Sequence, residues 1–263
     1  MKAVSGVFKT RADAEHAVRE AQDAGVPADR ITLLTPGTKD QIEKEVQSVP
    51  MDATEQPGMG KAIGGLVGGG VGITGGALLV ALVPGVGPIT ALGLLGAAIL
   101  GTAGATVGAA AGGKLEESTS EGLPEDEIFV YEDALRKGRS VVIALAENET
   151  SASGLRDLLG AESVDAAREQ WWIGLRSAEE NHYSKSGGNF TDDEKFYRLG
   201  FEAALHARTR CMEFDQVSAE MDAVLEDVQR QYPGKQVEEP FTRGYQRGRE
   251  HYQQLCDEQN KAA

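Results

Sequence analysis

The feature that most constrains this chain is an uncharged stretch of 52 consecutive residues, 62–113, bounded by Lys61 and Lys114. Nineteen of the 33 glycines lie between Gly58 and Gly113. The glycine excess is therefore local, because the rest of the chain has about the background glycine frequency of roughly 7%. At ~20 residues per spanning helix, the stretch is long enough to cross a lipid bilayer twice.

The middle of the stretch is interrupted by the sequence PGVGP. Prolines disfavour a helix and glycines permit a tight turn, so the stretch is predicted to form a helical hairpin. Its arms are residues 62–83 and 89–113, with 22 and 25 residues. The residues predicted to form the hairpin turn are Pro84, Gly85, Gly87 and Pro88.

Small residues recur every four positions in both arms, which would place them on one face of each helix. This pattern is a glycine zipper, in which missing side chains let two helix backbones approach closely. We expect these residues to mediate helix packing and oligomerisation: Gly60, Gly64, Gly68, Gly72, Gly76, Gly93, Gly101, Gly104, Gly108 and Gly112.

The uncharged length makes a membrane hairpin the main interpretation, and two alternatives stand beside it. In the main interpretation, the hairpin spans the cytoplasmic (inner) membrane, contacts lipid and forms homo-oligomers. Lysines at both boundaries then place both termini in the cytoplasm under the positive-inside rule. In the first alternative, the small-residue helices pack inside a soluble, cytoplasmic scaffold. In the second alternative, several hairpins surround a pore, although threonines are the only polar side chains in the stretch.

Strand and helix patterns flank the stretch on both sides. Residues 3–8 and 31–34 have the apolar content of strands, and a helix opens between them at Thr10. The later elements are a helix that follows Pro124, a strand over 140–146, a helix over 153–159 and an edge strand at 163–165. This order predicts an α+β fold, a split two-layer (ferredoxin-like) α/β domain interrupted by the glycine-zipper helical hairpin.

These patterns divide the chain into five segments. The last segment is an α-helical C-terminal region that follows the split domain. Residues 36–58 are polar, include Pro50 and Pro57 and are predicted to be a linker. The other segments are the first part of the α/β domain (1–35), the hairpin (59–114), the second part of the α/β domain (115–166) and the helical region (167–263).

The flanking segments also carry motifs that resemble a known family. The motifs are Gly6-Val-Phe8, Ala12-Asp-Ala-Glu15, Gly122-Leu-Pro-Glu-Asp-Glu127, Tyr131-Glu132, Leu135-Arg136, Gly138 and Val141-Val142. Over residues 1–166 the chain resembles the general stress protein 17M-like (heat-induced stress protein) domain of bacteria. The resemblance implies a bacterial stress-associated protein, and it supplies no catalytic residues.

The C-terminal region is polar and aromatic, with helical patterns over about 192–208, 215–232 and 238–258. A capping box from Thr191 to Glu194 marks the start of the first helix. The motif aromatic-x-x-Gly-aromatic occurs twice, and a looser copy surrounds Gly174. Glycines flanked by aromatic rings are typical of close helix packing. The predicted packing residues are Trp171, Trp172, Tyr197, Gly200, Phe201, Phe241, Gly244 and Tyr245.

Charge narrows the range of partners. With 26 basic and 41 acidic residues, the net charge is −15, which argues against binding to nucleic acid. Three C-terminal arginines, Arg243, Arg247 and Arg249, lie close to glutamates in the sequence. We therefore expect a solvated, self-neutralised face there instead of an anion site. No pattern identifies a protein partner for the C-terminal helices.

The sequence has no local motif for catalysis, cofactor binding or metal binding. The four histidines and two cysteines lack metal-ligand spacing, and no serine lies in a GxSxG motif. Matches to phosphate-binding loops at Gly70 and Gly108 lack the required strand, turn and helix around them. We therefore expect a nonenzymatic protein without cofactors or metals.

Overall fold

The computed structural model describes residues 2–37, 78–83, 87–92, 125–206, 209–210 and 212–262. The chain divides into two compact units. The sheet unit comprises Met1–Pro124 and Val130–Ala167, and the helical unit comprises Glu125–Phe129 and Arg168–Ala263. In the described residues the fold is α+β, with an antiparallel sheet and helices in the first unit and helices in the second.

The sheet unit begins with a strand and a helix that lie where the sequence predicts them. Strand β1 (Lys2–Phe8) leads into helix α1 (Arg11–Asp23). The hydroxyl oxygen of Thr10 accepts a hydrogen bond from the N–H of Asp13 at 3.2 Å, which caps the first turn. The face of α1 that is buried consists of three alanines, Ala14, Ala17 and Ala21.

In the described residues, five further strands belong to the sheet and two further helices belong to this unit. The strands are β2 (Ile31–Pro36), β3 (Leu78–Val83), β4 (Gly87–Leu92), β5 (Ser140–Ala146) and β6 (Glu162–Ser163). The helices are α2 (Ile128–Arg136), most of which lies in this unit, and α3 (Glu149–Leu159). The strand order is β3-β4-β2-β5-β1-β6, and every neighbouring pair is antiparallel.

Helices α1 and α3 pack on one face of the sheet and enclose its core. Successive side chains in a strand point to opposite faces, so alternate residues of the central strands contribute to this core. Val4 of β1, Leu33 of β2 and Val142 of β5 lie there and are at most 4% exposed. Leu155 and Leu159 of α3 cover them at 5% exposure. Strands from before and after the uncharged stretch thus share one core.

The middle of the uncharged stretch folds as two paired strands. β3 and β4 pair from Leu78 opposite Leu92 to Val83 opposite Gly87, so the chain reverses between residues 83 and 87. The reversal lies within the predicted turn. The prediction of helix was wrong for residues 78–83 and 89–92, and Gly87 and Pro88 belong to β4 and not to a turn.

The physical reason for this difference is pairing with a distant strand. The sequences LLVALV and GPITAL are rich in aliphatic and β-branched residues, which favour strands. In β4, Ile89–Leu92 pairs with Leu33–Pro36 of β2, and this tertiary contact overrides a weak helical pattern. The rest of both predicted arms, with Pro84 and Gly85, lies outside the described residues.

The helical unit contains four long helices. They are α4 (Val164–Lys185), most of which lies in this unit, α5 (Phe190–Ala203), α6 (Ser218–Gln231) and α7 (Glu238–Ala262). The sequence predicted a helical region from residue 167 but gave no bounds for α4. Val164 and Asp165, which were predicted to lie in an edge strand, belong to this helix. The predicted capping box was also wrong, because α5 begins at Phe190 with Asn189 at its N-cap. Within the described part of the chain, no helix has both the length and the apolar character needed to cross a membrane.

Gly6 offers a test of the sheet unit. A Cβ atom at Gly6 would lie 2.5 Å from the Cβ of Ala161, so Gly6→Ala should destabilise the fold by about 1–3 kcal/mol through overpacking. Gly154 of α3 is the matched control, because its Cβ position has no atom within 4 Å. Gly154→Ala should raise stability by up to about 1 kcal/mol. Urea unfolding followed by far-ultraviolet circular dichroism measures the free energy of unfolding of both variants. Equal free energies for Gly6→Ala and Gly154→Ala would contradict the close contact between Gly6 and Ala161.

Candidate functional site

The two aromatic-x-x-Gly-aromatic motifs lie on α5 and α7, and each glycine contacts the backbone of the other helix. A Cβ atom at Gly200 would overlap the carbonyl group of Phe241. One at Gly244 would overlap the carbonyl group of Tyr197. Two helices come this close only where a side chain is absent. The two copies of the motif therefore pack directly against each other.

The same contacts give the relative direction of the two helices. The Cβ position of Gly200 on α5 is next to Phe241 and Tyr245 of α7, and that of Gly244 on α7 is next to Tyr197 and Phe201 of α5. In each case the partners are separated by about 44 positions in the sequence. Because this offset stays nearly constant along both helices, α5 and α7 run in parallel.

A third glycine, which the sequence analysis missed, extends this contact. A Cβ atom at Gly248 would overlap the carbonyl oxygen of Phe201 and lie 3.0 Å from the Cβ of Ala204. Gly244 and Gly248 have the GxxxG spacing that places two glycines on one helix face. That spacing was the signal that could have identified Gly248.

The rings beside the glycines belong to a buried aromatic cluster. The Phe201 ring lies 5.9 Å from that of Trp171 and 5.8 Å from that of Trp172, measured between centroids. The ring of Tyr197 meets that of Tyr183 edge to face at 5.0 Å. Such pairs contribute about 0.5–1.5 kcal/mol each beyond burial. All eight predicted packing residues are buried: Trp171, Trp172, Tyr197, Gly200, Phe201, Phe241, Gly244 and Tyr245.

Gly174, at the centre of the looser third copy of the motif, makes no such contact. Its Cβ position has no atom within 4 Å. The neighbouring Trp171 and Trp172 are buried at 4% and 2% exposure. In this copy the aromatic residues pack, and the glycine does not bring two helices together.

A buried carboxylate joins three helices of the unit. The Glu179 side chain of α4 is 2% exposed and accepts hydrogen bonds from Nε and Nη2 of Arg247 on α7, at 3.0 and 3.2 Å. It also accepts one from the Tyr197 hydroxyl on α5 at 2.8 Å. Burial and this hydrogen bond raise the pKa of Tyr197. Burial opposes the charge of Arg247, but hydrogen bonds to Glu179 outweigh it and raise the pKa of Arg247, which keeps the guanidinium charged.

This ion pair corrects the prediction of a solvated arginine face. The Arg247 side chain is only 17% exposed, because it reaches Glu179 on another helix. Arg247 also pairs with the nearby Glu250 at 3.2 Å, as the expected self-neutralisation requires. The two neighbouring arginines are paired with glutamates as well. Arg243 pairs with Glu239 at 2.6 Å, and Arg249 pairs with Glu213.

A second ion pair uses the glutamate that was assigned to the capping box. Glu194 of α5 accepts hydrogen bonds from Nε and Nη2 of Arg176 on α4, both at 2.8 Å. It also accepts one from Nε1 of Trp172 at 2.9 Å. Burial raises the pKa of Glu194, but the hydrogen bonds from Arg176 and Trp172 outweigh it and lower the pKa below its ordinary value. The carboxylate therefore bridges two helices and does not cap its own.

A surface groove of about 510 Å³ lies beside these ion pairs and is lined by α4 and α5. Its charged side chains are bonded to their neighbours. Arg198 donates to Glu202 and to Glu169, both at 2.6 Å, and Arg168 donates to the carbonyl oxygen of Asp126 at 2.9 Å. In the described residues, no group of three or more His, Cys, Asp or Glu side chains could hold a metal ion. The groove has the chemistry of an ion-pair network between helices.

The described part of the predicted hairpin lies at one edge of the sheet. β3 is hydrogen-bonded to β4 and to no other described strand. An edge strand carries a row of backbone N–H and C=O groups that can pair with another chain. The ten zipper glycines, at positions 60–76 and 93–112, lie outside the described residues. The β3 edge is therefore the candidate site for contact with another molecule.

The glycine contact can be tested with two matched alanine variants. Gly200→Ala should lower the free energy of unfolding by about 1–3 kcal/mol or more, because the new methyl group meets backbone that cannot move aside. Gly174→Ala should be neutral or stabilising by up to about 1 kcal/mol. The fluorescence of Trp171 and Trp172, the two tryptophans of the chain, follows urea unfolding of this unit. A Gly200→Ala variant as stable as Gly174→Ala would refute the contact.

The buried ion pair can be tested with a double-mutant cycle. Glu179→Gln should cost about 3–5 kcal/mol, because it leaves the Arg247 charge without its partner in a buried site. Arg247→Met should cost a similar amount. The double variant should lose clearly less unfolding free energy than the two single variants lose together, because neither charge is left without its partner. Strictly additive losses, measured at pH 7 by urea unfolding, would show that the two groups do not interact.

Comparison with known proteins was made for families, for individual proteins and for solved structures. No family model, no curated protein and no solved structure matches this chain. Its function must therefore be inferred from its own residues and their geometry.

Proposed function

We propose that this protein is a nonenzymatic scaffold that self-associates through its uncharged stretch and displays its acidic units to solvent. One observation carries the proposal: β3 and β4, from the middle of that stretch, form the edge of the folded sheet. A net charge of −15 makes two copies repel each other over most of their surface. The stretch over 62–113 is where copies can meet without bringing carboxylates together.

The strands favour this scaffold over a membrane-spanning hairpin. Once β3 begins at Leu78, the first uncharged arm is reduced to the sixteen residues 62–77. A spanning helix needs ~20 residues, or ~30 Å at 1.5 Å per residue. The second arm keeps the 21 residues 93–113 after β4 ends at Leu92. The stretch thus has length for one crossing at most.

The connections of the sheet also disfavour a single crossing. β2 and β3 belong to the same sheet, and so do β4 and β5. A connection between two such strands that entered a membrane would have to end on the side where it began, which requires an even number of crossings. Neither uncharged arm has the ~40 residues that two crossings need. Assembly between copies meets no such restriction.

We further propose that the sheet unit is a split ferredoxin-like domain of the general stress protein 17M-like family. The strand order β2-β5-β1-β6 supports this, together with the two helices that connect β1 to β2 and β5 to β6. Three residues of the family-like motifs, Gly6, Tyr131 and Val142, belong to this unit. A role in bacterial stress would follow from that membership.

Self-association is tested with the full chain in buffer without detergent. Analytical ultracentrifugation should show oligomers whose population increases with protein concentration. Gly68→Leu with Gly72→Leu should shift the distribution toward monomers, because bulky side chains prevent close backbone contact. Gly154→Leu with Gly174→Leu is the matched control, since both positions have open space, and it should leave the oligomers unchanged.

Two outcomes would overturn the scaffold. The first is a wild-type chain that stays monomeric at every protein concentration, because such a chain does not self-associate. Retention of the chain in the membrane pellet after carbonate washing of cell extracts would instead support the membrane hairpin, because a scaffold is released by that treatment.

A further inference from the structure

We infer that two copies of this chain join through their β3 strands, edge to edge and antiparallel, so that one sheet continues across the pair. The inference rests on the proposed self-association and names the surface that mediates it. Each copy would add its six strands to the shared sheet. The second copy would bond to the backbone of β3 on the side away from β4.

The two edges of the sheet differ in how they are protected. β6, at one edge, has two residues, and its Glu162 forms an ion pair with Arg139. Short length and charge are features that prevent an edge strand from pairing with another chain. β3, at the other edge, has the six residues LLVALV, which include no charge and no proline. Within the described residues, the β3 edge lacks both of these protections.

Two prolines indicate which backbone groups of β3 face outward. Pro88 lies opposite Leu82 in the β3–β4 ladder, and Pro36 lies opposite Ile89 in the β2–β4 ladder. A proline has no N–H, so each is best placed where that N–H would point away from its partner. In an antiparallel pair this direction alternates along the strand. The outward-facing residues of β3 are then every second one: Leu78, Val80 and Leu82.

This alternation restricts the register between the two copies. Outward-facing residues must lie opposite outward-facing residues for their N–H and C=O groups to bond. With Leu78, Val80 and Leu82 available, the register that uses all three places Val80 of one copy opposite Val80 of the other. Leu78 then lies opposite Leu82 in both directions. Three such pairs give about six hydrogen bonds between copies.

The charge distribution identifies a second copy as the occupant. An uncharged strand has no means of attracting a basic or an acidic partner selectively, and here it lies within 52 uncharged residues. An identical strand matches it in length and in apolar character. Antiparallel pairing of identical strands is also closed by a two-fold axis, so both β3 edges are used and assembly at this surface stops at two copies.

Cysteine cross-linking tests the register. The full chain is prepared with Cys211→Ser and Cys256→Ser, and Val80→Cys or Ala81→Cys is then added. Hydrogen-bonded pairs have Cα atoms ~5.5 Å apart, within the range for a disulfide. Two Ala81 residues would be offset by two positions, at ~8 Å, which is beyond that range. Mild oxidation should link most of the Val80→Cys chains and about a tenth or fewer of the Ala81→Cys chains.

Val80→Pro provides an independent measurement. It removes the outward N–H of Val80 in both copies and leaves the bonds to β4 in place, so it should raise the dimer dissociation constant about tenfold or more. The β3 interface is wrong if the wild-type chain self-associates, Val80→Pro leaves its dissociation constant unchanged, and Val80→Cys cross-links no better than Ala81→Cys. The scaffold proposal would still stand in that case. If wild type is monomeric in ultracentrifugation, the scaffold and the interface both fail.

Discussion

Strand β2 is hydrogen-bonded on both sides, to β5 on one and to β4 on the other, and the sheet depends on this double pairing. It joins three parts of the sequence that are far apart, around residues 31–36, 87–92 and 140–146. Through this pairing, the described middle of the uncharged stretch lies in the same sheet as the strands before and after the stretch in the sequence.

Local patterns were sufficient to predict the elements that flank the stretch. The alanines of α1 recur at helical spacing, and SVVIALA has the length and apolar content of the strand that it forms. β3 and β4 could not be predicted in this way. The partner of β4 in β2 lies more than fifty residues earlier, and β3 pairs with β4 alone among the described strands. A run such as LLVALV is compatible with a helix or a strand until its partner is known.

In the helical unit, too, contacts could be predicted only where a local sequence motif marks them. The repeated motif predicted close helix packing at Gly200 and Gly244, and both glycines lie in such a contact. The sequence did not predict that the two copies of the motif pack against each other. The ion pair between Glu179 and Arg247 joins residues 68 positions apart that share no motif, so only the fold reveals it. Gly174 shows the limit of the pattern, since a glycine between aromatic residues can also lie in open space.

The parallel contact between α5 and α7 also has an evolutionary consequence. At Gly200 and Gly244 a side chain would meet a peptide group and not another side chain, so no change in a neighbouring side chain could make room for it. Any descendant that keeps this helix pair must keep both glycines, while the rings around them can exchange with one another. Two aromatic-x-x-Gly-aromatic motifs about 44 residues apart therefore form a signature by which distant relatives of the helical unit can be found, even when their sheet units differ.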